Sequence, residues 1–120
     1  MSNKEKAIDF LHLVTSGKVQ EAYDSYVEAG FVHHNPYFAG DAESLKTAMQ
    51  EDAKANFDKI FDIQRSAEEN DLVFVFSKIQ MNSDEYAVVH IFRFGQEGII
   101  ELWDVVQQAP ENSPNELGMF

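Results

Sequence analysis

Cysteine is absent from this chain of 120 residues, so no disulfide, thiolate nucleophile or cysteine-based zinc site can be built. Basic residues are scarce. Nine Lys and Arg stand against 21 Asp and Glu, for a formal net charge of −12. Such a surface repels a phosphate backbone, which argues against nucleic acid as a partner, and anionic membranes are disfavoured for the same reason. Long apolar runs are missing too. No stretch approaches the roughly 20 residues of a membrane span, and the opening MSNKEKAIDF has no apolar core of a signal peptide. A soluble, cytoplasmic protein is the expectation.

What is present fits a single domain over 1–120, with residues 108–120 as a C-terminal tail. Hydrophobic residues make up 44%, and Phe is abundant at 10 residues, enough for one aromatic core with a small pocket in it. Ser2 can cap a helix starting at Asn3, with Ala7, Ile8, Leu11 and Val14 or Thr15 at helical spacing and Gly17 after its end. Val19, Ala22, Tyr23 and Tyr26 share one face of a second helix, stopped by Gly30. FVHHNP is a short extended piece ended by Pro36. Asp41 can cap a third helix, reaching about Phe57, with Leu45, Ala48, Met49 and Ala53 inward.

The period then changes to two. Four consecutive strands follow, with turns at 69–71, 82–84 and 96–98. Helices first and then an antiparallel meander make an α+β pattern. The helices can cover one face of the sheet. The other face is also apolar in places, and a second copy of the chain is the economical cover.

The last hairpin, VVHIFRFGQEGIIELWDVVQ, carries the chemistry. A three-residue loop, 96–98, with Gly98 left-handed would set Gly95 opposite Ile99. Phe94 then meets Ile100, Arg93 meets Glu101, Phe92 meets Leu102, Ile91 meets Trp103 and His90 meets Asp104. Charges meet charges and apolar residues meet apolar ones. A slip of one residue would set Arg93 against Ile100. Period two then places His90 and Asp104 side by side on a face otherwise made of Val88, Phe92, Phe94, Ile100, Leu102 and Val106. A lone buried carboxylate is costly, and an imidazole neighbour gives it a partner. Apolar surroundings raise a carboxylate's pKa and a protonated histidine lowers it, which is how a base useful near neutral pH is made. A structural pair without chemistry is the other reading of the same two residues.

Three segments together, FVHHNPYFAGDAESLKTAM, VVHIFRFGQEGIIELWDVVQ and the terminal GMF, resemble the SnoaL-like family of the NTF2-like superfamily. The resemblance implies an NTF2-like cone: three N-terminal helices packed on a strongly bent antiparallel sheet that encloses a pocket. It implies a homodimer formed through the outer sheet face. It also implies acid/base chemistry on a carbonyl compound, of the aldol condensation, polyketide-cyclase or isomerase type, without metal or organic cofactor. Asp104 matches the family's acid/base group and His90 its assisting histidine. Val88 departs from the pattern, because the cyclases carry a polar residue there. Many NTF2-like proteins keep the pocket without known catalysis, so a non-catalytic dimer that binds a small apolar ligand is the alternative.

Other residues complete the expected site. His33 and His34 alternate in direction, and the family motif favours His34 as the inward one, beside Asn35 at the pocket mouth. Tyr23 is a candidate hydrogen-bond donor to substrate, as are Tyr26 and Tyr37, and Phe92 and Leu102 are expected to line the pocket. A metal site of His34, His90 and Asp104 lacks HxH or HxxxH spacing and is not expected. Trp103 faces away from Asp104, towards the outer sheet face. Met119 and Phe120 form an apolar end able to dock in a groove.

Overall fold

The computed structural model describes residues 1–120. In chain order the elements are α1 (Asn3–Thr15), α2 (Val19–Tyr26), β1 (Val27–His33), α3 (Ala42–Ala55), β2 (Ile60–Glu69), β3 (Leu72–Met81), β4 (Asp84–Phe94) and β5 (Ile99–Gln108). Helix α1 starts where expected. The Ser2 hydroxyl accepts from the Glu5 N–H, and the Glu5 carboxylate accepts from the Ser2 N–H, a reciprocal cap. Asp41 caps α3 by accepting from the Ser44 N–H and hydroxyl, which holds its carboxyl below the usual range.

Strands β2 to β5 form the expected meander. Asn82 and Ser83 both have positive φ, as the two-residue turn joining β3 and β4 requires. The sheet differs from expectation in two ways. It is mixed, because β1 runs parallel to β5, and its order is β1-β5-β4-β3-β2. It is also open: β1 and β2 are its two free edges, so it is not a strongly bent antiparallel layer closed around a pocket. The reason is connectivity. Helix α3 carries the chain from β1 to β2 at the opposite edge, and the meander from β2 to β5 then brings β5 back beside β1 in the same direction.

The centre of the sheet is filled rather than hollow. Phe92, Phe94, Leu102, Ile99, Val73 and Val75 are buried against Ala7, Phe10 and Leu11 of α1 and Ala22 and Tyr23 of α2. Phe10 lies between Tyr23 and Phe92, with ring centroids 5.7 and 5.8 Å away. Such pairs add about 0.5–1.5 kcal/mol each to ordinary burial.

The β4–β5 register holds from His90–Asp104 to Arg93–Glu101, including Ile91–Trp103 and Phe92–Leu102. At the loop it shifts. Phe94 pairs with Ile99 rather than Ile100, and the Gly95 N–H donates to the Gly98 carbonyl. Gly98 is not left-handed either. Its role is close approach, since a Cβ there would lie 2.4 Å from the Tyr26 carbonyl oxygen. The Glu28 carboxylate fastens this loop by accepting from the N–H groups of Glu97 and Gly98, both at 2.9 Å.

The outer sheet face carries Phe74, Phe76, Ile91, Trp103 and Val105. Phe120 folds back onto it, with its ring 5.7 Å from Phe76 and Lys78 over it.

Candidate active site

A cleft of about 350 Å³ opens between α1, α3 and the sheet, beside the filled centre. Twelve of its eighteen lining residues are hydrophobic, among them Leu11, Leu45, Met49, Phe61, Val88 and Val106. Its polar wall includes Asp104, His90 and Asn35.

Asn35 reaches the cleft because the chain beyond β1 is tied down. Buried His33 accepts from the Asn35 N–H at Nδ1 and therefore donates from Nε2 to the Ala39 carbonyl, at 2.6 Å. This histidine closes the loop 34–40 on itself. The Asn35 side-chain oxygen accepts from the Tyr37 N–H, which fixes the amide's orientation. Its Nδ2 then points at Asp104 and donates to Oδ2 at 3.0 Å. Oδ1 of Asp104 is left with no partner from the protein, on a residue that lines the cleft.

His90 is the register partner of Asp104, but no hydrogen bond joins the two side chains. Its Nδ1 is buried without any partner. Burial pushes the imidazole pKa down to about 4; the Asp104 charge opposes this and the Lys59 charge reinforces it. His90 is thus a neutral imidazole near pH 7. Beside Asp104 therefore stands an uncharged ring able to donate one N–H.

The remaining expected residues lie elsewhere. His34 points to the opposite side of the sheet. It stacks on Trp103 with 4.9 Å between centroids and an 8° interplanar angle, and Nε2 is 2.7 Å from Glu101. Of the three residues weighed above for a metal site, His34, His90 and Asp104, only His90 and Asp104 line the cleft. Alternation was right about opposite directions for the two histidines; the assignment of His34 as inward is reversed, because the loop buries His33. Tyr23 is core: its hydroxyl contacts the Met49 sulfur at 3.6 Å, and burial raises its pKa. Phe92 and Leu102 are fully buried beneath the cleft rather than in its wall. Tyr26 donates to Asp9, and that bond raises its pKa to about 12, while Tyr37 is exposed.

Two charged residues of the cleft were not foreseen, Lys59 and Asp52. A signal for Lys59 exists in the sequence, because it alternates with Phe61 and Ile63 and so shares their inward face.

No family profile matches the chain. No curated protein matches it in sequence. Solved structures do match in shape. AclR of Streptomyces galilaeus, a candidate hydroxylase, superposes with a TM-score of 0.74 at 14% identity, covering 88% of each chain. IdmH of Streptomyces antibioticus, a candidate polyketide cyclase, gives 0.73 at 17% identity, over 89% of this chain and 93% of its own. An NTF2-like protein of unknown function from Cytophaga hutchinsonii gives 0.73 at 15%, over 89% and 91%. At such identities the likeness is one of fold: three helices on a mixed sheet, the NTF2-like arrangement. The names these structures carry differ in chemistry, so the fold alone chooses no reaction.

Proposed function

We propose that the cleft binds a small apolar carbonyl compound and that Asp104 removes a proton from the carbon next to the carbonyl. The C–H electron pair moves into the enolate, and the proton goes to the free Oδ1 of Asp104. Neutral His90 donates its N–H to the enolate oxygen. Asn35 holds Asp104 in position from behind. Returning the proton to a different carbon gives isomerase chemistry. Addition of the enolate carbon to a second carbonyl, with the proton passing to the new alkoxide, gives aldol or cyclase chemistry. Neither course requires a cofactor. The observation that carries the proposal is the free oxygen of a cleft-lining carboxylate whose other oxygen is fixed by Asn35. A water-poor setting strengthens both the base and the oxyanion donor.

The missing His90–Asp104 hydrogen bond favours a second reading, a non-catalytic pocket for an apolar ligand. A panel of ketones, including β,γ-unsaturated and 1,5-dicarbonyl compounds, separates the two when assayed with the native protein and Asp104→Asn. Catalysis predicts turnover that falls by about 10²–10⁴-fold in the variant, with binding retained. Equal binding by both proteins, with no turnover by either, supports the second reading.

We also propose a cytoplasmic homodimer joined through the outer sheet face. Val105 is 63% exposed there, and Phe74, Phe76, Ile91 and Trp103 extend the same apolar surface. No helix is long and apolar enough to cross a membrane.

A further inference from the structure

Lys59 touches no reacting atom in the chemistry above, though its charge helps keep His90 neutral, and it is the one cationic side chain in the cleft wall. It sits just before β2, and its side chain is only 14% exposed. An ammonium has three N–H donors. Asp52 of α3 takes one, and the protein supplies no other acceptor. Two donors of this cleft-lining ammonium are thus left without a protein partner. Phe61, Ile79, Tyr86 and Val88 separate this cation from the Asp104–His90 wall along the sheet. The hollow thus has a lysine–aspartate ion pair at one corner, an apolar middle and an acid–base wall. The cation is conspicuous in a chain of net charge −12.

We propose that Lys59 binds a carboxylate of the ligand, so that among carbonyl compounds the cleft prefers an amphipathic carbonyl acid to a neutral ketone. This rests on the reading of the cleft as a carbonyl-binding site and names its substrate class. A carboxylate fits better than a phosphate. One ammonium, already shared with Asp52, can meet a single negative charge, and no arginine in the cleft wall is present to meet a second. The apolar middle sets the acid and the reacting carbonyl apart on one chain.

The test is calorimetric binding of octanoate and octan-1-ol at pH 8, where the acid is fully ionised, to the native protein, Lys59→Met and Lys59→Arg. Octanoate is expected to bind about tenfold tighter than the alcohol to the native protein. Lys59→Met brings the two together, and Lys59→Arg keeps the preference. The inference fails if the native protein binds the two alike, favours the alcohol or binds neither, or if Lys59→Met keeps the preference for the acid. The native comparison decides even if Lys59→Met does not fold. All these arms read binding without turnover. Their failure is therefore distinct from failure of the Asp104 chemistry, which is judged by turnover of the ketone panel in Asp104→Asn.

Discussion

His90 shows how position rather than residue type decides what a side chain can do. A histidine in water titrates near pH 6.5; here burial holds it at about 4. The folded state therefore binds fewer protons than the unfolded one between those values. Its stabilising contribution is fully present above pH 6.5 and is lost as pH falls towards 4, with a slope of at most about 1.4 kcal/mol per pH unit. Urea denaturation across that window should show the slope in the native protein and a flatter profile in His90→Gln. Equal profiles would mean that His90 is not shielded. Phe92 makes the complementary point. It was expected at the pocket, but it is fully buried against Phe10. Phe92→Ala should therefore cost about 3–5 kcal/mol of stability by denaturant titration. A change below 1 kcal/mol would mean that the position faces open space after all.

The β4–β5 hairpin was legible because each cross-strand pair could be judged by its chemistry. Arg93–Glu101 and His90–Asp104 left little room for a slip. The loop was less legible, since a Gly can answer either a left-handed turn or a close neighbour. Gly98 answers the second, and that neighbour is the Tyr26 backbone, distant in sequence. Gly98→Ala should therefore cost about 1–3 kcal/mol through backbone displacement. Thermal unfolding checks this, and an unchanged midpoint would contradict the contact. β1 was hidden for a similar reason. FVHH alone has no hairpin partner, and its parallel place beside β5 depends on α3 and the whole β2–β5 meander that follow it. The loop 34–40 decides which of His33 and His34 is buried, so the polarity of the pair could not be settled by alternation alone. Lys59 was readable from its alternation with Phe61, but a lone lysine before a strand looks like any solvated charge until α3 covers it.

For the molecule as a whole, three helices and a meander were readable from periodicity, whereas the open, mixed sheet was not, because strand order reflects long-range pairing. The open sheet leaves an apolar outer face only partly covered by Phe120. If a second copy covers the rest, sedimentation should give a dimer at micromolar concentration, and Ile91→Glu should shift it to monomer by placing charge in the interface. A monomer at all concentrations would contradict the dimer. The fold is shared by proteins with different named chemistries, so the claim that matters most is local: the free Asp104 oxygen acts as a base inside the cleft. Deuterium uptake at the α-carbon of a bound ketone in D2O, followed by NMR, reads that step whatever reaction comes after it. The native protein should exchange the proton faster than buffer and Asp104→Asn should not. Equal rates for the native protein, the variant and buffer would contradict the assignment.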